Sequence, residues 1–273
     1  MNYHSDEWIM SKVQEHYDEA TTLVDPNHIV GIFYQGSGNY GLDYEDSDVD
    51  TKCIVTPTFE EIALAKKPLS TTHIRANDEH IDFKDIRLYI QTFRKQNLNF
   101  LEILYTPYFL IGTPYYASWQ KLVTNREKIT HYDRVRSVKS MMGIASEKYH
   151  AMEHRYPSRI EWLDKFGYDP KQLHHLLRVG EYLDRYIEGK PYGDCLLTQT
   201  PEYLKDIKKG CLSLENARIL ADSAYYHIHK KCDAFIEKYK DEPIDEEIDK
   251  LFDDVCCEIM EISIRRDFNA NTR

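Results

Sequence analysis

The spacing of apolar residues changes near residue 114. Before that point, apolar runs and alternating segments predict strands, with a helix capped by Ser5 ahead of them. The predicted strands cover residues 28–35, 49–55, 69–75 and 80–84, and the short helices 85–97 and 99–105 follow. After that point, helical periods dominate at residues 133–154, 169–188, 214–239 and 244–266. The pattern predicts an α+β fold, with a small mixed-sheet domain over residues 1–114 and an all-helical domain over residues 115–273.

The composition points to a folded protein without a membrane segment. Apolar residues make up 42% of the 273 positions, which is ample for a buried core. No apolar run approaches the roughly 20 residues that span a bilayer, and the polar, acidic start is unlike a signal peptide. The 6 cysteines form no CxxC pair and are expected to be reduced thiols. We therefore expect a cytoplasmic location.

Charge is distributed unevenly along the chain. The formal net charge is −11, yet residues 121–190 carry 14 Lys and Arg against 10 Asp and Glu. A basic middle between acidic ends is a candidate for contacting a polyanion. A solvated helical surface is the alternative interpretation, and composition alone leaves both open.

A glycine loop and a carboxylate pair form the most informative motif. The apolar run 29–34 leads into Gly36-Ser37, and Asp48 and Asp50 follow one residue apart. Alternation along a strand places both carboxylates on one face, where they repel each other unless a cation lies between them. Mg²⁺ or Mn²⁺ takes such oxygen ligands together with phosphates. Glycine lets backbone N–H groups approach phosphate oxygens, and the Ser37 hydroxyl adds a donor.

A third acidic residue extends the motif. Asp82 lies between Ile81 and Phe83 in an alternating segment, so its side chain is expected on the polar face of a strand. We expect Asp50 to share one metal with Asp82 and a second with Asp48, as in two-metal phosphoryl transfer. A solvated turn is the alternative for the carboxylate pair alone. Lys84, next to Asp82 on the same strand face, is expected either to steer phosphate or to pair with an acid.

A cationic helix face lies further along the chain. From Asp169, helical spacing places Lys171, His174, His175 and Arg178 on one face. Such a face suits a triphosphate or an RNA backbone, and a solvated face is the alternative.

Together these motifs resemble a known superfamily. The order strand, Gly-Ser loop, Asp-x-Asp, then an aspartate on a later strand is similar to that of the DNA-polymerase-beta nucleotidyltransferases. Gly36-Ser-x-x-Tyr-Gly-Leu42 with Asp46-Ser-Asp-x-Asp50 resembles the RNA-ligase-associated, RNA-repair branch, as do the segments 95–104 and 168–178. The resemblance covers residues 29 to about 190. That branch usually has a basic residue after Gly-Ser, where this chain has Gly38.

The resemblance implies an activity and its site. It implies a nucleotidyltransferase that moves a nucleoside monophosphate from an NTP to a hydroxyl acceptor and releases pyrophosphate. Asp48, Asp50 and Asp82 would be catalytic and metal-binding, while Gly36, Ser37, Lys84 and the helix face 171–178 would bind the nucleotide. An RNA or tRNA end is the first expected acceptor. A protein or antibiotic hydroxyl, or a catalytically silent nucleotide- or RNA-binding module, stays open as an alternative.

Overall fold

The structure is a computed structural model that describes residues 3–45 and 47–271, so Asp46 of the motif lies outside the described residues. The strands are β1 (Ile29–Gln35), β2 (Asp50–Val55), β3 (Ser70–Ile74), β4 (His80–Asp85) and β5 (Phe109–Ile111). The helices are α1 (Asp6–Leu23), α2 (Phe59–Ala63), α3 (Ile86–Arg94), α4 (Leu98–Leu101), α5 (Tyr116–Thr124), α6 (Arg126–Thr130), α7 (Arg134–Ala151), α8 (Ile160–Phe166), α9 (Pro170–Ile187), α10 (Tyr192–Leu196), α11 (Pro201–Lys208), α12 (Leu214–Tyr239) and α13 (Glu246–Asn271).

Local sequence signals account for several of these boundaries. The Ser5 hydroxyl accepts a hydrogen bond from the Trp8 N–H at 3.2 Å and caps α1. Thr58 and Glu61 form a capping box at the start of α2, a pattern of Thr followed three residues later by Glu that can be read from the sequence. The four predicted strands are present as β1 to β4. The sequence missed β5, because three residues are too few to show an alternating pattern.

The sheet is small and mixed, as the sequence predicted. Its strand order is β3-β4-β2-β1-β5. The strand β1 runs antiparallel to both β2 and β5, whereas β2 and β4 run parallel and β3 is antiparallel to β4. In the parallel pair, Lys52 lies opposite Asp82. The strands that carry Asp50 and Asp82, β2 and β4, therefore start at the same edge of the sheet.

One face of the sheet is covered by α1. Ile9 and Val13 of this helix pack on Ile32, Cys53 and Phe83, all of them buried. Because side chains alternate along a strand, the residues between these positions point to the opposite face. The polar residues of β2 and β4 at even-numbered positions lie on that opposite face.

The described chain forms two compact units. The first contains Met1–Asn39, Asp43–Tyr132 and Ile244–Arg273, and the second contains Tyr40–Leu42 and Asp133–Pro243. This grouping differs from the predicted boundary at residue 114, because α5, α6 and α13 belong to the first unit. Phe252 of α13 packs against Phe93 with ring centroids 6.1 Å apart, and Asp249 accepts from Arg94 at 2.8 Å. Sequence periodicity identifies such a helix but not the surface on which it packs.

The second unit is helical. Its central helices α7, α9 and α12 pack on one another, and α10 and α11 pack on α9. Val138, Leu176 and Ile228 lie in its interior, where burial of apolar surface stabilises the unit. Among the described residues, no helix is both long enough and apolar enough to cross a bilayer.

Candidate functional site

The glycine loop follows β1 and rests on a buried tyrosine. The Tyr34 hydroxyl accepts a hydrogen bond from the Gly38 N–H at 3.0 Å. A Cβ atom at Gly36 would lie 2.6 Å from this hydroxyl oxygen, and one at Gly38 would lie 2.8 Å from it. Glycine is therefore favoured at both positions because the phenol approaches so closely. The same contact gives a physical reason for the absence of a basic residue at Gly38.

Burial also keeps the Tyr34 hydroxyl protonated. It raises the pKa of Tyr34 above its ordinary value, so the phenol under the loop stays protonated at neutral pH. Ser37 is tied to the other end of the loop, since its hydroxyl lies 3.3 Å from the Ser47 hydroxyl. Ser47 also accepts from the Tyr44 N–H at 3.0 Å. These contacts bring the Gly36-Ser37 segment beside the residue that precedes Asp48.

The carboxylate pair alternates as the sequence predicted. Val49 is 1% exposed, whereas Asp48 is exposed and the Asp50 side chain is 37% exposed. Asp50 opens β2, and its Oδ1 accepts from the backbone N–H of His80 at 2.9 Å. The His80 Nδ1 lies 3.4 Å from the same oxygen. The sequence did not single out His80, which is brought here by the pairing of β2 with β4.

Asp82 makes different contacts from those expected. Its Oδ2 lies 3.1 Å from the Lys52 ammonium, and its Oδ1 accepts from the Thr72 hydroxyl at 3.1 Å. Both carboxylate oxygens thus have a protein donor, whereas the sequence predicted a metal shared with Asp50. Burial lowers the pKa of Lys52, and the charge of Asp82 opposes that shift. Lys52 was missed, although its position two residues after Asp50 on the same strand face was a usable signal.

An aromatic ring covers the two lysines of this sheet face. The Phe100 ring centroid lies 4.2 Å from the Lys52 Nζ and 4.8 Å from the Lys84 Nζ. Lys84 also donates to the Ser70 hydroxyl at 3.3 Å. The segment that carries Phe100 is held to β1 by a hydrogen bond of 2.8 Å from Gln35 to Glu102. Segment 95–104, part of the sequence resemblance, therefore lies over the strands that carry the acidic residues.

The donor sets differ in how well they suit a divalent cation. Mg²⁺ in phosphoryl-transfer sites is commonly held by one or two carboxylates, with phosphates and water completing six ligands. Asp48 and Asp50 fit that pattern. Asp82, in its observed contacts, does not. Within residues 3–45 and 47–271, no three or more His, Cys, Asp or Glu side chains are arranged to hold a metal ion.

The predicted helix face lies on α9, in the second unit. His174 is 3% exposed, and its Nδ1 donates to the Leu204 carbonyl at 2.8 Å. Burial lowers the pKa of His174 to about 4 and that of His175 well below its ordinary value. The Arg178 guanidinium lies 3.6 Å from the ring centroid of Tyr40, and Lys171 is half-buried. The helix thus turns His174 inward and places Arg178 against Tyr40, which belongs to the same unit.

The chain has a similarity to a protein of known structure. No family model matches the chain, and no curated protein matches it. The chain is similar to a nucleotidyltransferase-like protein from Exiguobacterium sibiricum 255-15, with 12% sequence identity and a TM-score of 0.29. The similarity covers 84% of this chain and 76% of that one. The functional interpretation therefore rests on the geometry of the site itself.

Proposed function

We propose that the protein is a metal-dependent nucleotidyltransferase that transfers a nucleoside monophosphate from an NTP to a hydroxyl acceptor. The observation that supports this most is the accessible Asp48–Asp50 pair at the start of β2, joined to the glycine loop through Ser37 and Ser47. Asp82 lies on the same sheet face as Asp50, on the parallel neighbouring strand. Nucleotidyl transfer requires hydrogen-bond donors for the phosphates and carboxylates for the metal, at one edge of the sheet.

The reaction is a substitution at phosphorus. The acceptor hydroxyl oxygen forms a bond to the α-phosphorus, the bond from that phosphorus to the bridging oxygen of the β-phosphate breaks, and pyrophosphate leaves. The hydroxyl proton passes to water. A divalent cation held by Asp48 and Asp50 would supply positive charge against the triphosphate. The chain itself aligns the substrates, and Gly36, Ser37 and Lys84 donate hydrogen bonds to the triphosphate.

An RNA end, above all that of tRNA, is the proposed acceptor. The support is the sequence resemblance and the basic stretch 121–190, which suits a phosphate backbone. Protein hydroxyls and small-molecule hydroxyls, such as those of antibiotics, are outcomes that the same experiment distinguishes. The accessible carboxylate pair favours catalysis over nucleotide binding alone.

The test is to incubate the full chain with each labelled NTP, Mg²⁺ or Mn²⁺, and total cellular RNA or lysate. We expect label in the RNA fraction and pyrophosphate release, both lost in Asp50→Asn. Glu60→Gln, which removes one negative charge at an exposed position of α2, is the matched control and should retain transfer. Label in protein or in a small molecule would change the acceptor. Nucleotide binding without transfer to any fraction would contradict the proposal and support a silent binding module.

A further inference from the structure

Lys52 and Asp82 form a charge pair inside the proposed site. Lys52 follows Asp50 by two residues on β2, and the parallel register places it opposite Asp82 on β4. The ammonium lies 3.1 Å from one carboxylate oxygen, and the Thr72 hydroxyl lies 3.1 Å from the other. The negative charge of Asp82 is thereby balanced by this chain's own cation.

The surroundings hold Lys52 in that position. Its side chain is 6% exposed, against 28% for Asp82, and the Phe100 ring lies 4.2 Å from its Nζ. An ammonium that is nearly excluded from water needs a counter-charge, and breaking such a buried pair is strongly unfavourable. Displacing Lys52 toward solvent would also end its contact with Phe100. A divalent cation placed on Asp82 would lie close to this ammonium and be repelled by it.

The neighbouring carboxylates, those of Asp48 and Asp50, have different surroundings. Asp50 accepts from the backbone N–H of His80 and lies near its ring nitrogen, and Asp48 is exposed. One divalent cation is sufficient to neutralise this pair. The two halves of the site therefore differ, because this chain's own ammonium lies against Asp82, whereas the Asp48–Asp50 pair is accessible from solvent.

We infer that Lys52 supplies at Asp82 the positive charge that a second metal supplies in two-metal enzymes. The site then takes a single divalent cation, on Asp48 and Asp50. This inference rests on the proposed function, because it describes the metal and nucleotide complex of that site. Lys52 acts through Asp82 and is a positioning residue.

The experiment counts Mn²⁺ in the full chain saturated with an NTP analogue whose α,β-bridge cannot be cleaved. Electron paramagnetic resonance of free Mn²⁺ gives the number bound per analogue. We expect one in the wild type and one in Asp82→Asn. Two in the wild type would overturn the inference while leaving the proposed function intact. No bound analogue and no bound Mn²⁺ would instead overturn the proposed function.

Variants of Lys52 test the assignment of the charge. Lys52→Met exposes the Asp82 carboxylate, so we expect the count to rise to two, whereas Lys52→Arg keeps the charge and should keep one. A folded Lys52→Met that still binds one Mn²⁺ would overturn the role of Lys52. Lys66→Met is the matched control, since Lys66 is exposed and pairs with the exposed Glu60 outside the proposed site, and its count should remain one. The wild-type count decides the question even where Lys52→Met fails to fold.

Discussion

The two faces of β2 carry similar chemical groups in opposite settings. On one face Asp50 is partly exposed. On the other, Thr51 is buried and bonded to the Nδ1 of His16 at 2.9 Å, while the Nε2 of His16 lies 3.0 Å from Glu79. Glu79 is bonded in turn to Arg75. The hydroxyl, imidazole and carboxylate are hydrogen-bonded in a row, as in some catalytic sites, but they are buried where α1 packs on the sheet.

Burial decides which face is available for chemistry. Burial lowers the pKa of His16, so the imidazole is neutral at physiological pH and serves as a hydrogen-bonding link. Burial by itself would raise the pKa of Glu79, but hydrogen bonds from Asn77 and His16 and the charge of Arg75 outweigh it, and the pKa is lowered. A satisfied network without solvent access stabilises the fold, whereas the accessible carboxylates of the other face can receive a substrate.

The largest expected effect is at Asp50. Asp50→Asn removes the charge but keeps an oxygen that accepts from the His80 N–H. We expect nucleotide transfer to fall by about 10³-fold, because the charge that holds the cation is lost, with unfolding free energy changed by less than about 0.5 kcal/mol. Label transfer and urea unfolding measure the two. Near-normal nucleotide transfer by Asp50→Asn would show that the reaction does not take place at this face of the sheet.

Glu79→Ala should have the reverse profile. It leaves His16 and Arg75 without their buried acceptor, so we expect about 3 kcal/mol of lost stability in urea unfolding. Transfer per folded molecule should stay near the wild-type value. Glu15→Ala is the control, since the exposed Glu15 lies 3.9 Å from Arg75 and its loss should cost about 0.5 kcal/mol or less. If the Glu79→Ala chain folded but lost nucleotide transfer, the buried face would not be purely stabilising, and the distinction between the two faces would be wrong.

Burial also governs the titration of a histidine in the second unit. Folded His174 has a pKa of about 4 against 6.5 when unfolded, so the unfolded state binds the proton first as pH falls. Stability is therefore fully present above pH 6.5 and is lost progressively down to about pH 4. Between pH 7.5 and 5 the wild type should lose about 2 kcal/mol more than His174→Gln. Urea titrations at several pH values measure this difference, and equal slopes in both chains would show that His174 does not remain neutral when folded.

The smallest expected effect concerns the glycine loop. Gly38→Ala brings a Cβ against the Tyr34 hydroxyl, which lies on the sealed side of the sheet, and should cost about 1 kcal/mol. Gly143→Ala is the matched control. A Cβ there meets nothing within 4 Å, and helix propensity should make the change stabilising by about 0.5 kcal/mol. Thermal unfolding compares the two, and equal shifts would mean that Tyr34 does not restrict the loop.

Local patterns were sufficient where the structure depends on residues close in sequence. The alternation of Asp48, Val49 and Asp50 and the capping box at Thr58 each involve neighbours within a few positions. The Lys52–Asp82 pair depends on a parallel register between strands that are separated by α2 and β3. Alternation determines which residues share a face, but a register shifted by two residues would leave that pattern unchanged. The apolar period also predicted the helix α9, but only its packing in the fold, where His174 bonds to the Leu204 carbonyl, shows that the His174 side chain is buried.

The grouping of α13 with the first unit has a consequence for biosynthesis. The ribosome must make all of residues 133–243 before this helix emerges. Until then Phe93 lacks the Phe252 ring and Arg94 lacks its partner Asp249. The first unit therefore has an apolar surface uncovered until α13 has been made, at a rate of about 5–20 residues per second. The first unit can complete its contacts only after the residues of the second unit have been made.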